Sequence, residues 1–353
     1  MITQNFLINF SMIMFSSSLI TILLFYFKEK ITLGEEKPSK IDRKIHISKV
    51  TRLGGLSFIP LLLLVIEIDN NLIRNIIYFS YFIFFIGFIE DVFLSISQYV
   101  RFLAMLFLVS IFLLQNNFYI NDFQNQILNY LFVSNILISY CFSLLGFMLI
   151  INGFNFIDGV NGLLLGMCII ISGVYAYHSY NVSNDIFSIS ICMLACCLIL
   201  YYLNISTGKI LVGDGGAYFI GFLLGAISIY ICNLGILNSL NVAFLLFYPI
   251  IEVCLSFFRR FFKKDLKSFH ADNFHLHQLV YFSLKETILK KNISINDVYI
   301  NSLSSVCILF PFLMMILFGE LVKDFINNFY ILISFCAVYL FFYSYLFNKY
   351  KNN

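Results

Sequence analysis

Charge is what this sequence has least of. Only 12% of its 353 residues are charged and 60% are hydrophobic, against about a quarter charged in an average soluble domain. That scarcity excludes a globular domain that faces water, because the chain has too little polar surface to wear there. No Cys-x-x-Cys pair occurs among the nine cysteines, which run from Cys141 to Cys336 within or at the ends of apolar runs. Their placement argues against paired-cysteine metal or redox motifs and leaves them as small core hydrophobes. No Gly/Ser-rich or Pro-rich linker divides the chain, and no internal repeat marks inverted halves, so residues 1–353 read as a single membrane domain. The first apolar run, Phe6 to Phe27, has no basic stretch before it and no small-residue cleavage site after it. It reads as a retained helix and not as a removed signal peptide, with the mature chain starting at Met1.

What is present is a succession of uncharged apolar runs, each suited to crossing a hydrocarbon core of ~30 Å as a helix. Eleven spans are predicted, centred near residues 16, 60, 81, 107, 140, 171, 195, 226, 250, 311 and 336, the fourth being the weakest. The fold class is therefore all-α, a polytopic membrane helical bundle in a lipid bilayer. The 43 Phe and most of the 22 Tyr fill helix contacts and interfaces. All but Arg74 and Lys323 of the 22 Lys and Arg fall on one side of this arrangement. Basic residues gather on the cytoplasmic side, which predicts the N-terminus outside and the C-terminus inside. Polar loops on a rigid scaffold are where chemistry concentrates. Here they lie around 28–52, 90–101, 152–162, 204–216 and 259–300.

The acids of interest map to helix ends on that cytoplasmic side. Glu90 and Asp91 end the third span, Asp158 follows Asn152 and Asn155 at the end of the fifth, and Asp214 opens the eighth within Gly213-Asp214-Gly215-Gly216. Three-residue spacing keeps Asn152, Asn155 and Asp158 on one helical face. Brought together, these carboxylates would repel unless a divalent cation and basic side chains share the site. Lys44, Arg52, Arg101, Arg259 and Arg260 are the available bases. Hard oxygens without thiolates suit Mg²⁺ on a phosphorylated ligand better than zinc. The glycines around Asp214 would let backbone N–H groups approach a phosphate at a helix N-terminus. The blander alternative makes Asp214 a helix cap flanked by flexible glycines. In the last long loop, His270, His275 and His277 belong to a segment that includes Asp272. The i, i+2 spacing of His275 and His277 does not suit a helical zinc pair, whereas a basic, irregular loop folding onto phosphates, or a solvated interfacial loop, fits the composition.

Five motifs taken together resemble the polyprenyl-phosphate N-acetylhexosamine-1-phosphate transferases, glycosyltransferase family 4, over about residues 38 to 280. They are Arg43-Lys44-Ile45-His46 with Arg52-Leu53-Gly54-Gly55; Glu90-Asp91; Asn152 through Gly159; Asn204 with Val212 through Gly216; and Asp272 through His277. The resemblance implies transfer of a sugar 1-phosphate from a UDP-amino sugar to undecaprenyl phosphate or a similar polyprenyl phosphate, releasing UMP, as the first membrane step of a cell-surface glycan. It implies Mg²⁺, with Mn²⁺ as a substitute, held by Asp214. Catalytic roles fall to Asp91, Glu90, Asp158, His275 and His277. Substrate binding falls to Lys44, His46, Arg52, Arg101, Asn152, Asn155, Asn204 and Asp272. The implied location is the inner (cytoplasmic) membrane with a cytoplasmic active site. A homodimer is allowed, and no nucleic-acid partner is expected.

Three positions depart from the family pattern. Glu90 stands where the acidic pair usually begins with Asp, so Asp91 is the better catalytic candidate. Asn161 replaces a frequent Asp after Asp158-Gly159, and Leu211-Val212 lacks an aromatic that can stack on uracil in relatives. These departures bear on base and donor recognition more than on phosphate chemistry. The rival from another class is a secondary transporter with an ion or substrate site on the cytoplasmic side. Its acids belong near the bilayer midplane, whereas only Glu252 lies inside a span here, ~9 Å from the boundary by helical rise. A CDP-alcohol phosphotransferase needs aspartates where Asn155 and Asn161 stand.

Overall fold

The computed structural model describes residues 4–27, 35–36, 50–93, 96–120, 123, 126–262, 274–291, 294–322 and 328–350. Lys44, His46 and Asp272 lie outside the described residues. The elements in chain order are α1 (Gln4–Phe27), β1 (Glu35–Glu36), β2 (Val50–Thr51), α2 (Gly54–Glu67), α3 (Asn71–Phe93), α4 (Gln98–Asn116) and α5 (Gln126–Ser134). Then come α6 (Ile136–Ile157), α7 (Leu163–Ser179), α8 (Asn184–Thr207), α9 (Gly213–Asn233), α10 (Ser239–Leu245), α11 (Phe247–Phe262), α12 (Leu276–Lys290), α13 (Asp297–Val322) and α14 (Asn328–Tyr350). The chain is an all-α polytopic membrane bundle. Helices dominate because in lipid every backbone amide must find its partner within the segment.

All eleven predicted spans coincide with apolar helices. Among the described residues, eight helices are long and apolar enough to cross a membrane, α4 included. The span near residue 250 is α10 and α11 together, bent by 67°. The spans near 60 and 171 are the shorter helices α2 and α7. From Gly54 to Leu63, α2 is a 3-10 helix, which rises ~2.0 Å per residue where an α-helix rises ~1.5 Å. Tighter winding thus gives a short segment more reach. Pro60 lies inside it, and the Tyr81 hydroxyl donates to the carbonyls of Phe58 at 2.6 Å and Ile59 at 3.1 Å.

The centre of the bundle is α9, 94% of whose apolar stretch is buried, against α3, α6 and α2. Glycines let these backbones approach closely. A methyl on Gly55 would stand 2.6 Å from the Cα of Gly216, and one on Gly221 2.7 Å from the Cα of Ile151. The rim is apolar and open, with Phe15 72% and Phe341 75% exposed, as helices in contact with lipid require. Beside the centre, residues 51–55 run along 209–212. Thr51 N–H donates to Lys209 O at 3.0 Å, Leu211 N–H to Thr51 O at 2.8 Å, Gly54 N–H to Leu211 O at 2.9 Å and Gly55 N–H to Val212 O at 2.8 Å. This short ladder delivers Arg52 to the start of α9.

Candidate active site

A helix begins with amide N–H groups that have no partner inside it. The residue before α9 is Val212, whose side chain cannot cap, so acids from other segments do. Gly213 N–H donates to Asp158 Oδ2 at 3.0 Å, Asp214 N–H to Asp91 Oδ1 at 3.0 Å and Gly215 N–H to Asp91 Oδ2 at 2.8 Å. Both carboxylates also sit at the positive end of the helix dipole. Gly213 has φ +79°, and a side chain there would strike the Arg52 carbonyl and stand 2.7 Å from Asp91 Oδ2. The glycines thus admit Arg52 and Asp91. This corrects the expectation that these amides await a phosphate: the carboxylates of Asp91 and Asp158 already occupy them.

Asp214 is no cap for α9. Its Oδ2 pairs with Arg101 Nη1, and its Oδ1 accepts from Asn155 Nδ2 at 3.0 Å and lies 3.5 Å from Arg52 Nη2. Arg101 also donates to the Tyr218 hydroxyl at 3.3 Å, one turn along α9 from Asp214. Asp91, Asp214 and Arg101 are buried, with 1%, 7% and 9% exposure, while Arg52, Asn155 and Asp158 are half-buried. Burial pushes the Asp158 carboxyl up, and the Gly213 amide and Arg52 pull it back. Glu90 accepts the Ile96 amide at 2.8 Å and remains close enough for its charge to act on Arg101.

The remaining predicted residues have more local employment. Asn204 is 2% exposed; its Oδ1 accepts from Gly162 N–H and its Nδ2 donates to Ile210 O at 2.5 Å, which ties two loops together. Asn152 donates to Met148 O at 2.7 Å. Asn161 does not face this group: its N–H donates to Asn301 Oδ1 of α13 at 2.8 Å. Arg259 donates to the Tyr343 hydroxyl at 2.5 Å.

The two histidines have unlike surroundings. His275 Nδ1 lies 2.9 Å from Glu252 Oε2. His277 is wholly buried and neither ring nitrogen has a hydrogen-bond partner; burial pushes it down to about 3. The rings stack with centroids 5.4 Å apart, and a methyl on Gly159 would stand 3.0 Å from His277 Nε2. Sequence reasoning missed Tyr218, the Tyr339 bond to Glu252 and the Glu252–His275 pair. For Tyr218 there was a signal, because it lies four residues after Asp214 on the same helix face.

Among the described residues no three acids, histidines or cysteines form a metal-binding group. Mg²⁺ needs only one or two protein carboxylates, and the charge balance suits one. Among the described residues, Asp91, Asp158 and Asp214 face Arg52 and Arg101, three acids against two bases, and an incoming diphosphate adds further negative charge. The hard carboxylate oxygens of Asp214 fit that ion.

The sequence model of Glycosyl transferase family 4 matches residues 73–232, the stretch that carries Glu90, Asp91, Arg101, Asn155, Asp158, Asn204 and Asp214. A phospho-N-acetylmuramoyl-pentapeptide-transferase of Prochlorococcus marinus is 29% identical over 254 residues, 64% of this chain and 66% of that protein. An undecaprenyl-phosphate alpha-N-acetylglucosaminyl 1-phosphate transferase of Thermotoga maritima is 26% identical over 73% of this chain and 78% of its own length. A probable undecaprenyl-phosphate N-acetylglucosaminyl 1-phosphate transferase of Bacillus subtilis is 26% identical over 70% of each chain. The acids and bases around the start of α9 thus lie in the stretch of the chain that is similar to Glycosyl transferase family 4 and to these transferases.

Proposed function

We propose that this membrane enzyme transfers a sugar 1-phosphate from a UDP-sugar, an N-acetylhexosamine derivative, to undecaprenyl phosphate or a similar polyprenyl phosphate, releasing UMP. The observation that carries the reading is the meeting of Arg52, Arg101, Asn155 and Asp214 at the buried start of α9, with Asp91 and Asp158 behind them. In the reaction an oxygen of the lipid phosphate attacks the phosphorus bonded to the sugar. The bond from that phosphorus to the bridging oxygen breaks, and UMP leaves. A phosphate monoester has a second pKa near ~6 and is largely ionised at pH 7, so no strong base is required. Arg52 and Arg101 bind and orient phosphate oxygens in this reading, and Asn155 holds Asp214 in register. Asp214 is the residue that would hold Mg²⁺, or Mn²⁺ in its place, which when bound supplies charge neutralisation for the diphosphate.

The basic asymmetry of the sequence supports a cytoplasmic site in a multi-pass inner membrane protein, with the acceptor lipid arriving from the bilayer. The test is to incubate membranes bearing the protein with labelled UDP-N-acetylhexosamines and undecaprenyl phosphate. A lipid-linked sugar phosphate formed together with UMP is expected. Transport of a UDP-sugar into liposomes without UMP or lipid product would overturn the reading.

A further inference from the structure

The family match ends at residue 232, before a second buried polar cluster. Glu252 lies in α11, three residues past Pro249 and beyond the bend, and is fully buried. A carboxylate inside an apolar bundle is costly unless its oxygens are occupied. Here Oε2 meets His275 Nδ1 at 2.9 Å, and Oε1 accepts from the Leu276 amide at 3.1 Å and the Tyr339 hydroxyl at 2.9 Å. The His275 ring meets Phe156 edge-on at 5.2 Å, two residues before Asp158. The carboxylate therefore stands behind the histidine, and the histidine against the segment that brings Asp158 to the α9 amides. Among the described residues, Glu252 faces His275 and His277 at the start of α12, Tyr339 of α14 and Tyr248 of its own helix.

Resting on the transferase reading above, we propose that Glu252 is a positioning residue: it fixes the His275 ring through Nδ1, so that Nε2 is held ready for a polar group of the sugar donor. With Nδ1–H bonded to the carboxylate, the ring has one orientation and one free nitrogen. The lipid phosphate is not the partner of this pair, which separates the two substrates kinetically.

The test compares full-length wild type, Glu252→Gln, Glu252→Asp, His275→Gln and the double variant Glu252→Gln/His275→Gln, purified in detergent, by two readouts. The first is the rate of His275 modification by diethyl pyrocarbonate at one fixed pH, followed by mass spectrometry; it is expected to rise several-fold in Glu252→Gln, where Nδ1 has lost its carboxylate partner, and less in Glu252→Asp. In the second, kcat/KM for the UDP-sugar falls at least tenfold in Glu252→Gln and less in Glu252→Asp, while KM for the lipid is unchanged. The double variant is no worse than His275→Gln alone. An unchanged modification rate, or losses that multiply in the double variant, overturns the proposal. Where Glu252→Gln does not fold, an unchanged modification rate together with wild-type kcat/KM in Glu252→Asp, whose carboxylate is one methylene shorter, overturns it. Wild type that releases no UMP from any UDP-sugar refutes the transferase reading and the donor contact, while the modification rate still decides the Glu252–His275 pairing.

Discussion

The Asp91 carboxylate accepts the Gly215 amide hydrogen at 2.8 Å across more than a hundred residues of sequence, and with the same group takes that of Asp214 at 3.0 Å. An acid on α3 thereby determines where α9 begins. Asp91→Asn keeps the size but offers one acceptor oxygen for two amides and removes the charge from the helix N-terminus. Loss of a cap bond at a buried site costs about 1–3 kcal/mol. A lower unfolding temperature is therefore expected together with a fall in UMP release of two or more decades. Glu90→Gln, which keeps an oxygen for Ile96, is expected to be milder in both assays. Equal losses at the two positions would remove the distinction.

Asp214→Asn should abolish turnover, with rates down by two or more decades, each ~1.4 kcal/mol of lost transition-state stabilisation being tenfold. Stability should fall too, because Arg101 is left buried beside a neutral partner. The double variant Asp214→Asn/Arg101→Met removes both charges and is expected to regain the unfolding temperature without regaining activity. Thermal scans and UMP release across a Mg²⁺ titration check this. An Asn variant with normal turnover and unchanged Mg²⁺ dependence would move the metal site elsewhere.

Gly87→Ala tests the packing that brings Asp91 into place. The added methyl would stand 2.5 Å from the Asp214 carbonyl carbon and 2.6 Å from the Gly215 Cα, and backbone cannot turn aside as a side chain can. Overpacking of this kind costs about 1–3 kcal/mol, and α3 must move away from α9. Activity is expected to fall with stability, whereas Gly146→Ala, whose added methyl meets nothing within 4 Å, should leave both intact.

His277 supplies a pH dependence. Its burial lowers its affinity for a proton from the ordinary 6.5 to about 3, so the unfolded chain binds the proton more readily than the folded one. Stability is fully present above about pH 6.5 and is lost as pH falls toward 3. By pH 5 the loss amounts to about 2 kcal/mol at ~1.36 kcal/mol per unit. Unfolding temperatures measured from pH 8 to pH 4.5 should fall more steeply for wild type than for His277→Leu. Parallel curves would show that the imidazole gains a proton without cost.

Orientation is open to chemical labelling. In a background without native cysteines, Ser97→Cys and Lys209→Cys are expected to resist a membrane-impermeant thiol reagent in intact cells, and Arg74→Cys to react. Ready labelling at Ser97 or Lys209 would place the site on the other face.

Helices were easy to read here because lipid imposes one pattern on every span, and even the weakest, near residue 107, is the helix Gln98–Asn116. Their internal form was not. Nothing in Gly54–Leu63 distinguishes 3-10 from α winding before Pro60 and its captured carbonyls are seen against Tyr81. At the site, the sequence named the acids and Arg52 and Arg101 but misjudged the glycines, because a Gly-rich helix start looks alike whether it receives a ligand or another backbone. Glu252 stood out as the one acid inside a span. Its partner lay beyond sequence reasoning, since bundle packing and not residue spacing brings His275 to it.

The ladder between residues 51–55 and 209–212 has one more consequence. Arg52 is bracketed by backbone hydrogen bonds on both sides, from Thr51 to Lys209 and from Gly54 to Leu211, so it cannot swing out without unzipping the start of α9. A phosphate bound at Arg52 would meet a guanidinium whose backbone is already ordered, and little of the interaction would be lost to freezing a loop. On the transferase reading, this side of the site is a fixed jig against which a phosphate would be held.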